Sequence, residues 1–113
     1  NQHFNIVEAQ LGALKGLSND EISKCIIAYE PVWAIGTGVT ASSAQANEMH
    51  IHIRKVISGL FNDGVAQNIS ILYGGSVKPD NAQELFAQSD IDGALIGGAA
   101  LASRDFINIA KSF

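Results

Sequence analysis

Residues 28–38 read AYEPVWAIGTG, and the fold turns on what the carboxylate of Glu30 is doing behind an apolar run. Residues 25–29 (CIIAY) are apolar without alternation, as expected of a strand covered on both faces in a parallel sheet. Pro31 disfavours helix at the residue before it, so Glu30 is expected to be extended still, at the strand's carboxyl end. Past Pro31 come an aromatic, Trp33, and two closely spaced glycines, Gly36 and Gly38. A carboxylate in that place is either a capping detail or a chemical group held where it can work.

Two more apolar runs end in glycine. Residues 69–73 (ISILY) run directly into Gly74-Gly75-Ser76, and residues 93–96 (GALI) into Gly97-Gly98. Helical periodicity fills the intervals. Ile6, Val7, Leu11, Leu14 and Leu17 predict a first helix that stops at the turn-forming cluster Ser18, Asn19, Asp20. Ser42 or Ser43 can cap a second, with Ala46, Met49, Ile53, Val56, Ile57 and Leu60 as its apolar stripe. His50, His52, Arg54 and Lys55 fall on or beside its polar flank. The two histidines read as solvated or edge residues, because no third ligand is spaced to join them at a metal. Asn62 and Gly64 break that helix, Pro79 opens a short one carrying Leu85 and Phe86, and Ser103 can cap a last one. Phe106, Ile107, Ala110 and Phe113 are its expected buried stripe. The sum is an α/β unit over residues 1–113, three parallel strands with four main helices, built of repeated βα units without a linker.

Composition narrows the function. With 113 residues the chain can bury roughly 60 to 70% of the surface its unfolded form exposes. No apolar run approaches the ~20 residues of a membrane span, so no membrane partner is expected. A net charge of −4 with scattered Lys and Arg leaves no basic stripe, so no nucleic-acid partner is expected either. The single cysteine, Cys25, has no partner for a disulfide and reads as a buried structural thiol. Nothing at the amino end resembles a secretory leader, and the cytoplasm is the default compartment. The opening NQHFNIVEAQL already reads as part of a helix, so the chain is expected to begin in the middle of something.

In βα architectures, reactive groups gather where strands end, since those loops share one face of the sheet. Glycine there lets backbone approach a ligand, and clustered amides suit phosphate. Taken singly, a GG dipeptide or a Glu at a strand end is more often a tight turn or a surface residue. Taken together, AYEPVWAIGTG, then LYGGS, then DGALIGGAAL resemble the carboxyl-terminal half of the triosephosphate isomerase family, and the similarity runs through Phe113.

That resemblance implies a (β/α)8 TIM barrel, of which this chain supplies the fifth helix, the sixth strand and the remaining strands and helices to the carboxyl end. It implies Glu30 as the catalytic base that moves a proton between neighbouring carbons of a triose phosphate, with no cofactor and no metal. Residues 31–41 become a lid: Pro31 stiffens one end, Trp33 packs as the loop swings, and Gly36, Thr37 and Gly38 form the tip. Gly36, Ser76, Gly97 and Gly98 become the phosphate cradle, and Tyr73 a brace for the closed lid. Arg54 and Asp90 match a structural charge pair, expected to be a surface one. Two departures, Val39 where the family usually has Lys and Ser43 where it commonly has Pro, bear on hinge stiffness and lid timing. The family's electrophilic His, its substrate-facing Lys and a nearby Asn lie in the other half of the barrel. His3, His50 and His52 are not in the motif that would replace that electrophile. The expected partners are therefore the triose phosphate substrate, the missing amino-terminal half and, for the full-length parent, a second copy in a homodimer. A competing reading is a noncatalytic phosphate-binding half-barrel that serves as an interaction module.

Overall fold

A computed structural model describes residues 2–32 and 41–113. Its three strands, β1 (Ile26–Tyr29), β2 (Ser70–Tyr73) and β3 (Gly93–Ala94), lie side by side in chain order, each pair parallel. The helices are α1 (Gln2–Gly12), α2 (Asn19–Ser23), α3 (Ser43–Leu60), α4 (Asp63–Asn68), α5 (Ala82–Phe86) and α6 (Ser103–Ala110). Short 3₁₀ segments lie at Ala13–Gly16 and Gly98–Leu101. The order is that of consecutive βα units, as the periodicity predicts.

Two of these helices do not figure in the sequence reading, for a common reason. Ser18 is an N-cap rather than a turn: its hydroxyl accepts from the Glu21 amide while the Glu21 carboxylate accepts from the Ser18 amide, which starts α2. Asn62 likewise ends α3 and starts α4, accepting from the Val65 amide. The residues that signal a turn are the residues that cap a helix, and only the following turn of chain decides between them. Where α3 starts is settled by the same chemistry, Ser42 forming a capping box with Gln45.

The register places Ile27 and Tyr29 beside Ile71 and Tyr73 on one face of the sheet, and Ile26 and Ala28 beside Ser70 and Leu72 on the other. The first face is the core side: Ile71, Tyr73 and Tyr29 are buried there with Met49, Ile53 and Ile57 of α3. On the second face Ile26 is 68% exposed, and Ala28 and Ser70 are also exposed. The unbroken apolar run 25–29 predicts a strand covered on both faces. Among the described residues only one cover exists, so the apolar signal of Ile26 is not matched by burial. Helix α6 corrects the reading in the same way. Its buried residue is Ile109, whereas Phe106, Ile107 and Ala110 are exposed, and Phe113 beyond it is 74% exposed although it stacks on Phe86 at 4.0 Å. Of α6 only Ile109 joins the buried core. Cys25 is half-buried rather than enclosed, its Sγ 3.6 Å from the Glu21 carbonyl.

Candidate active site

Parallel pairing brings the carboxyl ends of the strands level. Tyr29 stands opposite Tyr73, and Tyr73 opposite Ala94. The ladder continues one step past each strand: the Gly74 amide donates to the Tyr29 carbonyl at 2.7 Å and the Leu95 amide to the Tyr73 carbonyl at 3.0 Å. Glu30, exposed and one residue past β1, therefore shares a rim with the Gly74-Gly75-Ser76 turn. A side chain at Gly74 would put its Cβ 3.0 Å from the Tyr29 carbonyl oxygen and 3.7 Å from the Glu30 Cα. Glycine is what lets the two strand ends close up. At Gly75 a Cβ would fall on the ring and hydroxyl of Tyr73, which lies under the turn, 1% exposed. Burial first, and the neighbouring Tyr29 second, raise the pKa of the Tyr73 hydroxyl, which keeps it protonated and able to donate.

The glycine loops meet around one cleft of about 620 Å³, lined among others by Gly75, Ser76, Lys78, Leu95, Gly97 and Gly98. Among the described residues, sequence neighbours aside, nothing lies within 4 Å of where a Cβ at Gly97 or Gly98 would sit. Packing does not require glycine at either, so the space they leave open belongs to the cleft. Glu30 does not line it. Glu30 belongs to a neighbouring groove of about 540 Å³ between the free edge of β1 and α1, with Tyr29, Ile27, Val7 and Leu11. Ser76, Gly97 and Gly98 are thus gathered in one cleft, and Glu30 stands on the same rim across Gly74. Pro31 is buried beside it. Trp33, Gly36, Thr37, Gly38 and Val39 lie outside the described residues.

Three features escape the sequence reading. Lys78 brings a cation to the cleft, but Asp80 and Asp105 line it too, so charge alone does not favour an anion. Its signal was the GGSVK run itself. His50, expected at the solvent edge, is fully buried, with Nδ1 3.2 Å from the Asp90 carbonyl and its ring 6.1 and 6.2 Å from those of Tyr29 and Tyr73. Position 50 follows Met49 on the helix, so the core stripe is wide enough to include it. His52 is half-buried, 3.9 Å from Glu8 of α1, with the Phe4 ring edge-on at 4.9 Å.

The Arg54–Asp90 pair is present at 2.9 Å, but it is no surface pair: the side chains are 11% and 22% exposed. Arg54 also binds Asp92 at 2.9 Å and donates to the carbonyls of Ala66 and Ile69 at 2.6 and 3.1 Å. No group of three His, Cys, Asp or Glu among the described residues could hold a metal ion. Nor is any described helix long and apolar enough to cross a membrane.

The sequence profile of triosephosphate isomerase matches residues 1–113. Curated relatives named triosephosphate isomerase include those of Cytophaga hutchinsonii, 61% identical over 112 residues, and Flavobacterium psychrophilum, 57% over 111. That of Bacteroides fragilis is 54% identical over 113 residues. These alignments cover 98%, 97% and 100% of this chain but 45%, 44% and 45% of the relatives, so the chain spans a little under half their length. The βα order, the parallel sheet and the profile match over every residue agree: this chain belongs to the triosephosphate isomerase family and forms part of a TIM barrel.

Proposed function

We propose that this chain carries the proton-transfer base and most of the phosphate site of an isomerase that interconverts dihydroxyacetone phosphate and D-glyceraldehyde 3-phosphate. Glu30 takes the proton from the carbon beside the substrate carbonyl, an enediolate forms, and the carboxylic acid returns a proton to the neighbouring carbon. The step needs no cofactor and no metal. The phosphate sits against the backbone of Ser76, Gly97 and Gly98, with Gly36 completing the cradle. Amide dipoles hold it more than net charge does, because Lys78 is offset by Asp80 and Asp105. Residues 31–41 close over the substrate, with Pro31 and Trp33 at the hinge, Thr37 and Gly38 at the tip, and the Tyr73 hydroxyl as brace. The observation that carries the reading is the Gly74–Tyr29 hydrogen bond, which ties the Glu30 rim to the glycine turn.

The same reading sets the context. Polarising the substrate carbonyl falls to groups of the amino-terminal half, so residues 1–113 alone are inactive; one missing oxyanion donor already costs roughly 2.7 to 4 kcal/mol of transition-state stabilisation. The full-length protein works as a homodimer in the cytoplasm, in glycolysis and gluconeogenesis. Glu30→Gln in that protein tests the reading: turnover of glyceraldehyde 3-phosphate should fall by about 10² to 10⁴. Unchanged turnover would favour the noncatalytic phosphate-binding module, a reading to which the separate grooves of Glu30 and the glycine cleft lend some weight.

A further inference from the structure

Asn81 occupies the N-cap position of α5, where Asn is among the best capping residues, yet its side chain makes no capping bond. The carboxamide reaches backwards instead. Its Nδ2 donates to the Ser76 carbonyl at 3.0 Å, and its Oδ1 accepts from the Lys78 amide at 2.7 Å. One side chain thereby pins two consecutive peptide planes, Ser76–Val77 by its carbonyl and Val77–Lys78 by its N–H. Because a trans peptide is flat, fixing the Ser76 carbonyl toward Asn81 turns the Val77 N–H the opposite way. The anchor itself does not move easily: Ala82 and Leu85 of α5 are 0% and 3% exposed, and Glu84 accepts a hydrogen bond from the Ser43 hydroxyl at the start of α3. Ser76, Val77 and Lys78, the three residues so gripped, all line the glycine cleft.

We infer that Asn81 is a positioning residue for phosphate: it forgoes capping its own helix in order to fix the direction of the backbone along one side of the cleft. It touches neither substrate nor reacting carbon and acts through the Ser76–Lys78 segment. A loop held in its binding geometry before the ligand arrives does not have to be ordered on binding, so the benefit falls on affinity for the phosphate group. The inference rests on the proposed function only in taking the occupant of this cleft to be a phosphate.

The test uses the full-length protein that contains this chain, with Asn81→Ser and Asn81→Ala. Serine caps a helix as well as asparagine does but is too short to reach Ser76, so Asn81→Ser should keep the thermal midpoint while releasing the loop. Loss of two hydrogen bonds predicts about a tenfold rise in the Kd of inorganic phosphate and in the KM of glyceraldehyde 3-phosphate for both variants. Turnover of unphosphorylated glyceraldehyde should not change. If Asn81→Ser binds phosphate as tightly as the unaltered protein, or if both trioses suffer alike, Asn81 is a structural residue and the inference is overturned. An unaltered protein that binds no phosphate overturns it as well. Failure of the isomerase reading shows separately, as absence of triose phosphate turnover in the unaltered protein, and leaves the phosphate titration to decide Asn81.

Discussion

Replacing His50 by Leu should remove one identifiable component of acid sensitivity. His50 is 0% exposed; its Nδ1 faces the Asp90 carbonyl, which only accepts, so that nitrogen carries the proton. Nε2 has no hydrogen-bond partner among the described residues. The ring lies near Tyr29 and Tyr73, with Asp90, Asp92 and Arg54 as the charged groups around it. Burial is the largest influence and lowers the pKa below the ordinary value of 6.5; the Asp90 carbonyl and both carboxylates oppose it, and Arg54 adds to it. The unfolded chain therefore binds the proton more readily than the folded one. Stability from this residue is present above pH 6.5 and is lost as pH falls from there toward the lowered folded value. The loss can be no steeper than about 1.4 kcal/mol per pH unit. Leucine removes a hydrogen bond worth about 0.5–1.5 kcal/mol but also an unpaired nitrogen whose burial costs about 1–3 kcal/mol. The Asp90 carbonyl keeps a donor in Arg54 Nη2 at 3.3 Å. Urea unfolding at a series of pH values should show parent and His50→Leu within about 1 kcal/mol of each other at pH 8. Below pH 6.5 the parent should lose stability faster, and the curves should converge or cross. Parallel curves between pH 8 and 5 would refute the reasoning.

Other substitutions probe the frame around the rim. Arg54→Met strands the carboxylates of Asp90 and Asp92 and takes a donor from the carbonyls of Ala66, Ile69 and Asp90, and should cost about 3–5 kcal/mol in urea unfolding, with Arg54→Lys recovering little because one ammonium cannot span all five acceptors. A loss under 1 kcal/mol for Arg54→Met would show that water takes the place of the guanidinium. Gly75→Ala forces the new methyl group against Tyr73, and a thermal midpoint lowered by about 1–3 kcal/mol of stability is expected; an unchanged midpoint would mean that the turn shifts freely. Ser42→Ala removes the capping bond to Gln45 and should cost about 1 kcal/mol, read as faster amide exchange in the first turn of α3.

How far the sequence was legible depended on whether a signal was local. The glycine turns at Gly74-Gly75 and Gly97-Gly98 and the Ser42 cap are local, and the structure has them where the residues put them. Ser18 and Asn62 are equally local but ambiguous, since one side-chain oxygen serves a turn or a cap. The buried His50 and the five hydrogen bonds of Arg54 were not legible, because their partners Asp90 and Asp92 lie 36 to 40 positions away. Phe106 and Phe113 misled for the opposite reason. Periodicity reports which face of a helix is apolar and is silent about whether anything covers it.

The long-range polar contacts matter to the site because they fix register. β3 contributes only two ladder residues, too few for packing alone to specify the pairing. Asp92, just before it, extends the ladder with both of its ends: its amide donates to the Ile71 carbonyl at 3.0 Å and its carboxylate accepts from the Ile71 amide at 2.8 Å. That carboxylate is itself held by Arg54 from α3. A slip of one residue would carry Gly97 and Gly98 about 3.3 Å along the sheet from Ser76 and turn β3 over. It would also break the Ile71 pair and leave the largely buried Arg54 guanidinium mismatched with a carboxylate that is itself 37% exposed. The shape of the glycine cleft on the carboxyl rim thus depends on a hydrogen-bonded clamp at the opposite end of the strands.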